Sequence, residues 1–371
     1  MRPLSRPLVN KIEAKLESLV RSGRFRTLVA TDRLPNGRVG VDGAVLVDLS
    51  SNDYLGLSRS NIGTANPFTG AAGSRLLGGN RPQTGTFESQ FSSWLGVESA
   101  LLLNSGYHAN LAVMSTLFGP SDLILVDRLV HASIWDGIRL SGAKWARFDH
   151  NDPEHCRRLV AENRDSVDTI LIVTESVFSM DGDRAPLVEL AEIATEYGVG
   201  LMVDESHALG VFGPQGRGCV AELDVQAAVD IWVSGLGKAW GGIGGIVGGS
   251  GPLISLLTSA ARPFIYSTAL PDNAVAWAMG VLTAMPELDG CRQRLQILAK
   301  RLGFPSHIGP IMGGDLGATM TLSNELKSLG YWAPVIKPPT VPPNQCRIRC
   351  SLSVLIPDED IARLETWLKS R

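Results

Sequence analysis

Short apolar runs alternate with amphipathic stretches through the middle of the chain. Buried strands are predicted at the apolar runs 100–103, 123–126, 143–148, 169–174 and 201–203. Helices are predicted where apolar positions recur at helical spacing, at 87–95, 132–139, 153–162 and 187–197. This alternation predicts an α/β fold, with helices covering both faces of a mostly parallel sheet.

The flanking regions have other patterns. An amphipathic helix is predicted at 9–21, a small hairpin at 41–49, a turn at 51–57 and a glycine-rich loop at 68–85. Further helices are predicted at 252–261, 274–285 and 293–302. We therefore expect an N-terminal arm (1–45), a large domain (46–255) and a smaller α+β C-terminal domain with a linker helix (256–371).

Composition narrows the class of protein. The 371 residues are 44% hydrophobic and 19% charged, as in a well-packed globular enzyme, and the net charge of -3 gives no basic surface for nucleic acid. No apolar run reaches the length of a membrane span, and the first 30 residues contain no signal-peptide core, so we expect a cytoplasmic protein. The 5 cysteines are widely spread and are expected to be free, and no metal site is expected.

One lysine stands out as a candidate for chemistry. Lys238 follows the strand-like run 231–234 and lies among glycines and apolar residues. Where little water reaches, the charged form of a lysine is disfavoured, so the pKa falls and the free amine can attack a carbonyl. A lone lysine in a glycine-rich loop is more often a surface residue, and the case for a Schiff base rests on two stretches upstream.

The first stretch is an apolar strand that runs into Asp204 and His207. Open α/β sheets bind ligands at the carboxyl ends of their strands, and a carboxylate there needs a cationic partner. A protonated pyridine nitrogen is such a partner, and pyridoxal phosphate (PLP) proteins hold their cofactor in this way. The second stretch is a strand, a turn at Ser105-Gly106 and a helix start at Tyr107, which offers backbone N–H groups to a phosphate.

These features occur within a longer series of motifs. The motifs are Asn52-Asp53-Tyr54-Leu55-Gly56-Leu57, Gly73-Ser74-Arg75, Ser105-Gly106-Tyr107, Asp127 with His131-Ala132-Ser133, Glu175-Ser176-Val177-Phe178-Ser179-Met180-Asp181-Gly182, Asp204 with His207, Gly237-Lys238, Ser267-Thr268 and Pro338-Pro339-Thr340-Val341-Pro342. In order and spacing the chain resembles the α-oxoamine synthases of PLP-dependent fold type I, from Lys11 to Leu368. The resemblance implies a mostly parallel sheet of the seven-stranded type in the large domain.

The resemblance also implies roles for particular residues. Catalysis is expected from Lys238, His131 and Asp204. Contacts to PLP are expected from Gly106, Tyr107, His131, Ser179, Asp204, His207 and Lys238, and, from the neighbouring subunit of a homodimer, Ser267 and Thr268. Contacts to substrate are expected from Arg26, Thr340 and Arg349. Arg24 is an alternative to Arg26, and Arg349 would grip the amino-acid carboxylate with its guanidinium fork.

The reaction implied by the resemblance is a decarboxylative condensation of an amino acid with an acyl thioester. The Pro-Pro-Thr-Val-Pro segment favours L-alanine and pimeloyl-CoA or a pimeloyl acyl-carrier protein, with 8-amino-7-oxononanoate as product in biotin synthesis. Glycine with acetyl-CoA, as in 2-amino-3-ketobutyrate ligase, and serine with a long-chain donor, as in serine palmitoyltransferase, are alternatives.

The chain departs from the family pattern at two main positions. Thr84 occupies a position where relatives usually have a histidine, which affects loop packing rather than chemistry. Gly235 occupies the position, three before the lysine, where relatives normally place a Thr or Ser hydroxyl on the phosphate. Three explanations stay open: Ser234 turns in, Gly235 offers only its N–H, or cofactor affinity is lower.

Two rivals belong to other classes of protein. A PLP-binding homologue that has lost catalysis would bind the cofactor without turning over any amino acid. A nucleotide-dependent dehydrogenase would also be α/β and glycine-rich. The sequence disfavours it, because no G-x-G-x-x-G follows a strand and opens a helix with an acid about 20 residues further on.

Overall fold

The computed structural model describes residues 5–60, 62 and 70–371. The start of the predicted loop at 68–85 lies outside the described residues. Its described part contains a π-helical turn at Arg75–Gly79, and the next helix already begins at Pro82. Proline favours the first turn of a helix, because its missing N–H is not needed there and its φ is already helical.

The strands and helices between residues 82 and 204 follow the predicted pattern, and further elements lie outside it. The strands are β1 (Asp32–Leu34), β2 (Arg38–Val41), β3 (Ala44–Asp48), β4 (Ser99–Leu103), β5 (Leu123–Asp127), β6 (Lys144–Phe148), β7 (Ile170–Glu175), β8 (Gly200–Asp204), β9 (Ile231–Gly235), β10 (Gly245–Gly249), β11 (Ile308–Gly314), β12 (Tyr331–Trp332), β13 (Val335–Ile336) and β14 (Cys346–Ser351). The helices are α1 (Arg6–Arg21), α2 (Pro82–Leu95), α3 (Gly106–Leu117), α4 (Ala132–Ser141), α5 (Pro153–Asn163), α6 (Leu187–Tyr197), α7 (Cys219–Glu222), α8 (Gly251–Ala260), α9 (Arg262–Ile265), α10 (Asp272–Ala284), α11 (Asp289–Leu302), α12 (Leu316–Ser328) and α13 (Asp358–Lys369).

The chain forms two compact units. The large unit consists of residues 51–308 and 352–355. The small unit consists of the described residues up to 50, together with 309–351 and 356–371. The predicted division at residues 45 and 255 stays a prediction, and these units have other bounds. The helices from α8 to α11 belong to the large unit.

A seven-stranded sheet is the centre of the large unit. Its strand order is β4-β10-β9-β8-β7-β5-β6, and β10 is antiparallel to both of its neighbours. The other pairings are parallel. Every residue of β5 and β7 is buried, which is the expected burial for strands covered by helices on both faces. The predicted α/β fold with a mostly parallel sheet is confirmed.

The antiparallel strand β10 is made largely of glycine. A Cβ at Gly245 would lie 2.2 Å from the carbonyl carbon of Ser105, so the backbone beside the start of α3 leaves no room for a side chain. Glycine has low strand propensity, and here it is required by the close approach of two backbones. The composition of β10 therefore sets the distance between the sheet and the turn before α3.

The small unit contains two small sheets. One has the order β1-β2-β3-β12, and the other has the order β11-β14-β13. The β2–β3 pairing forms a hairpin over residues 38–48, with Val41 opposite Ala44, so the hairpin begins three residues before the predicted 41–49. Strand β14 is fully buried, including its two arginines, Arg347 and Arg349. This α+β composition agrees with the expectation for the C-terminal region.

The described part of the chain contains no helix that is both long and apolar enough to cross a membrane. The cysteines are free, as predicted, and most of them are buried: Cys156, Cys219, Cys346 and Cys350, with Cys291 at intermediate exposure.

Candidate active site

A cavity of about 300 Å³ opens in the large unit, where the parallel strands end. Its described lining consists of Asn52, Ser105, Gly106, Tyr107, Asn110, His131, Glu175, Asp204, Ser206, His207, Gly235, Gly237, Lys238, Gly242, Ile243 and Gly244. Among the predicted site residues, Gly106, Tyr107, His131, Asp204, His207 and Lys238 all lie on this one cavity. The carboxyl edge of a parallel sheet collects them because each follows a strand end.

Lys238 lies in the loop between β9 and β10. Backbone hydrogen bonds close this loop: Leu236 N–H donates to the Gly244 carbonyl at 2.9 Å, and Gly241 N–H donates to the Lys238 carbonyl at 2.8 Å. Gly241 has φ of +60°, and a Cβ there would lie 2.4 Å from the backbone nitrogen of Ser58. The loop is therefore a fixed support for the lysine.

Asp204 is buried at the end of β8 and is held by neutral donors. Asn110 donates from its side-chain amide to Asp204 Oδ2 at 2.8 Å, and the Ser206 backbone N–H donates to Oδ1 at 2.9 Å. Asn110 also donates to the Ser133 hydroxyl at 3.0 Å, and its own Oδ1 is buried and has no hydrogen-bond partner among the described residues. These bonds fix the direction of the carboxylate without neutralising its charge.

His207 is buried beside Asp204, and its Nδ1 lies 2.7 Å from the hydroxyl of Tyr54. This contact explains why the Asn52 to Leu57 motif matters to the site, since it brings the tyrosine to the histidine. The ring of Tyr54 also packs edge-on against His307, with centroids 4.1 Å apart. The tyrosine is thus fixed from two sides.

His131 follows β5 and caps α4. Its Nδ1 lies 2.7 Å from the Ser133 hydroxyl, and its backbone N–H donates to the Glu175 carboxylate. Although the ring reaches solvent through the cavity, desolvation by the protein around it lowers the pKa of the imidazole. Asp204 opposes this shift, and the positive charge of Lys238 adds to it. His131 is consequently neutral near pH 7.

Glu175 was not singled out by sequence reasoning, although it lies within a motif quoted above. It ends β7 and pairs in register with Asp204 on β8. Burial raises the pKa of its carboxyl well above the ordinary value, and the nearby Asp204 carboxylate adds to the rise. The indication available in the sequence was its position at the end of an apolar strand, which is the same position that Asp204 has.

Asn110 and Ser206 were also missed. Asn110 lies one helical turn beyond Gly106 and therefore projects from the same side of α3. Ser206 lies two residues beyond Asp204. Asn110 could have been found from this spacing, whereas nothing in the sequence pattern indicates which group Ser206 faces.

Three predicted cofactor residues lie outside the described lining of this cavity. Ser179 lies in the turn after β7. Ser267 lines a separate small cavity together with Asn104, and Thr268 is exposed, with its carbonyl accepting from the Asn104 amide at 2.7 Å. Their roles stay predictions.

The three predicted substrate residues belong to the small unit. Arg26 donates from Nη2 to the Thr340 hydroxyl at 3.1 Å, so two of them are in direct contact. Arg349 is buried on β14 and donates from Nη1 to the Ser351 hydroxyl at 2.5 Å. Their binding of substrate stays a prediction.

The cavity fits PLP in its chemistry. An amine at Lys238 suits an aldehyde, and a buried acid at Asp204 that accepts from the Asn110 amide and the Ser206 N–H suits a protonated ring nitrogen. The backbones of Gly106 and Gly235 approach each other closely. A Cβ on Gly106 would lie only 3.1 Å from the Gly235 Cα. The start of α3, at Gly106 and Tyr107, lines the cavity, and the N–H groups of a helix N-terminus suit a phosphate.

Comparison with known proteins identifies the class. Residues 44–353 match the family model described as aminotransferase class I and II. A solved structure titled as SPT, or serine palmitoyltransferase, with PLP superposes with a TM-score of 0.85 at 26% identity, over 100% of this chain and 98% of the other. The fold and the site thus define a PLP-dependent protein of fold type I.

Sequence similarity narrows this class. The 8-amino-7-oxononanoate synthase of Acidithiobacillus ferrooxidans is 40% identical over 92% of each chain. A crystal structure of 8-amino-7-oxononanoate synthase from Francisella tularensis has a TM-score of 0.74 at 28% identity, over 88% of this chain and 97% of the other. The chain belongs to the class I and II aminotransferase family and, within it, to the family of 8-amino-7-oxononanoate synthases, and the predicted resemblance is confirmed.

Proposed function

We propose that the protein condenses L-alanine with a pimeloyl thioester, with loss of CO2, to give 8-amino-7-oxononanoate for biotin biosynthesis. The thioester is carried by CoA or by acyl-carrier protein. The identity of 40% to a synthase of this name supports the substrates. The observation that carries the chemistry is that Lys238 and Asp204 line one cavity with the start of α3.

Lys238 and Asp204 have complementary roles. When bound, PLP supplies an electron sink for the carbanion at the α-carbon of the amino acid. Lys238 holds the cofactor aldehyde through its amine. Asp204 keeps the ring nitrogen protonated, since an adjacent carboxylate favours the charged form of that nitrogen. Asn110 holds the carboxylate in the direction that this contact requires.

His131 and His207 flank the reacting region. The neutral ring of His131 can stack on the cofactor ring and accept a proton, and its lowered pKa keeps it in that form near pH 7. His207 contacts the cofactor with its orientation fixed by Tyr54. Both histidines are held by partners on the protein, His131 by Ser133 and His207 by Tyr54.

The remaining cofactor contacts follow the family pattern. The backbone N–H groups of Gly106 and Tyr107 bind the phosphate at the start of α3, and Ser179 contributes a hydroxyl. Ser267 and Thr268 reach the cofactor of the neighbouring subunit in a cytoplasmic homodimer with shared active sites. Thr268 is exposed, and Tyr266 is 72% exposed, which supports a partner surface at this segment.

Substrate carboxylates are bound by residues of the small unit. Arg349 grips the carboxylate of alanine with its guanidinium fork, which matches a carboxylate bidentately. Arg26 and Thr340 form a second polar pair, supported by their hydrogen bond of 3.1 Å. Both sites supply positive charge for a substrate pair in which the amino acid and the pimeloyl chain each carry a carboxylate.

The test is product formation by the PLP-loaded protein. Mass detection after mixing L-alanine with pimeloyl-CoA or pimeloyl acyl-carrier protein should show 8-amino-7-oxononanoate, and Lys238→Ala should give none. Turnover only with glycine and acetyl-CoA, or only with serine and a long-chain acyl-CoA, would contradict the proposed substrates. Bound PLP without turnover of any pair would identify a non-catalytic homologue.

A further inference from the structure

The position of Ser206 bears on the missing hydroxyl at Gly235. Ser206 lines the cavity, and its side chain lies between two backbones. A Cβ built on Gly235 would lie 3.5 Å from Ser206 Oγ, and one built on Gly106 would lie 3.7 Å from it. The hydroxyl of Ser206 therefore lies next to the place where a side chain at position 235 would begin.

The Ser206 hydroxyl accepts a hydrogen bond from the protein and can still donate one to a ligand. Ser206 Oγ accepts from the Gly235 backbone N–H at 2.8 Å. A hydroxyl can accept and donate at once, and the hydrogen bonds among the described residues include none in which the Ser206 hydroxyl donates. The Ser206 backbone N–H is already bound to Asp204, which fixes the position of the residue.

The alternatives near Gly235 are unfavourable. The N–H of Gly235 is already donated to Ser206. Ser234 is completely buried, its Oγ lies 3.5 Å from the Gly235 carbonyl, and it is absent from the described lining of the cavity. Neither the Gly235 N–H nor the Ser234 hydroxyl is directed at a ligand in this arrangement.

We propose that the Ser206 hydroxyl donates to the phosphate of PLP, in place of the hydroxyl that relatives carry at the position of Gly235. The inference rests on the proposed function, because it concerns the same cofactor. A donor just after β8 would complete a phosphate site whose other donors are the backbone N–H groups at the start of α3. Ser206 is thus a cofactor-binding residue that the family pattern does not indicate.

The test compares two probes that differ only in the phosphate. Apoprotein is titrated with PLP and with pyridoxal, and binding is followed by absorbance. Ser206→Ala should weaken PLP binding roughly ten- to a hundredfold, because a hydrogen bond to a charged group is lost. Pyridoxal binding should change by less than about twofold, since no phosphate is present to lose the bond. The ³¹P resonance of bound PLP should shift in the same variant.

A second variant moves the hydroxyl back to the usual position. A Cβ at Gly235 has its nearest neighbours at 3.5 to 3.8 Å, which is ordinary contact, so Gly235→Ser fits without displacing backbone. Ser206→Ala with Gly235→Ser should recover most of the lost PLP affinity. Ser234→Ala is the matched control and should bind PLP like the wild type.

The outcomes separate this inference from the proposed function. Wild-type affinity for PLP in Ser206→Ala, or equal losses for PLP and pyridoxal, would overturn the role of Ser206 and leave the proposed function standing. A loss confined to Ser234→Ala would assign the hydroxyl to that residue instead. Failure of the wild-type protein to bind PLP at all would overturn both.

Discussion

Glu175 and Asp204 lie side by side at the carboxyl ends of β7 and β8, whose register pairs the two residues directly. Both are buried. Ionising two adjacent buried carboxylates is energetically unfavourable, so burial and the charge of Asp204 together raise the pKa of Glu175. The protonated Glu175 leaves Asp204 as the acid available to a cationic ring nitrogen.

This pairing predicts a pH dependence of stability. The folded protein keeps the Glu175 proton to a higher pH than the unfolded chain, whose ordinary pKa is 4.5. The free energy of unfolding of the apoprotein should therefore fall as pH rises from 4.5 through the raised pKa. Glu175→Gln should remove the part of this fall that comes from Glu175, so that the variant loses less stability than the wild type between pH 5 and 9 in urea unfolding. Glu162→Gln, at an exposed position, should keep the wild-type dependence; the same slope in Glu175→Gln would contradict the account.

His150 bridges two carboxylates, one at the end of β5 and one in the segment after β7. Its Nδ1 lies 2.9 Å from Asp127, which ends β5, and its Nε2 lies 2.7 Å from Asp183, in the segment after β7. Although burial lowers the pKa of His150, hydrogen bonds to Asp127 and Asp183 outweigh this effect and raise it from 6.5 to about 9. The protonated imidazole therefore links the segments that carry His131 and Ser179.

The raised pKa of His150 gives a second prediction for the pH dependence of stability. Here the protonated form carries the charge, whereas the protonated form of Glu175 is neutral. Its contribution to the free energy of unfolding is fully present below pH 6.5 and is lost as pH rises through about 9. At pH 7, His150→Asn should cost on the order of 2 kcal/mol. Urea unfolding should show the difference from wild type shrinking between pH 7 and 10. A constant difference across that range would exclude a protonated His150.

Gly241 is a tightly packed position at positive φ in the loop that carries Lys238. Gly241→Ala places a methyl group against the Ser58 backbone at a positive φ. Such a strained position should lower the free energy of unfolding by about 1–3 kcal/mol or more and weaken PLP binding. Gly237→Ala is the matched control in the same loop, because the nearest atom to its added Cβ is the Gly242 carbonyl oxygen at 3.6 Å. Thermal unfolding of both variants measures the contrast, and equal melting temperatures would contradict it.

Sequence pattern predicted the sheet where its strands are buried on both faces. Strands such as β5, β7 and β8 are continuous apolar runs ending in a polar residue, so both their existence and their functional ends could be recognised. β10 was not predicted, because glycine has low strand propensity. Glycine is required at Gly245 by the close approach of the Ser105 backbone. Packing of that kind is invisible to periodicity.

The partners of the site residues were likewise beyond the sequence. The Asn110–Asp204 hydrogen bond joins residues 94 positions apart, and the bond from Gly235 to Ser206 depends on the pairing of β8 with β9. Residues 352–355 join the large unit, with Ser353 donating to the Asp53 carbonyl at 2.9 Å. The types of the site residues could be recognised from the sequence, whereas their contacts could be seen only in the folded structure.

The central claim is that Lys238 binds PLP covalently in the cavity where Asp204 faces the ring nitrogen. The most direct measurement is the visible absorbance spectrum of purified protein supplied with PLP, beside the same spectrum of Lys238→Ala. We predict a yellow protein whose absorbance band survives desalting, and a variant that loses the band. A wild-type protein that stays colourless with excess PLP, or a band that persists unchanged in Lys238→Ala, would contradict the claim.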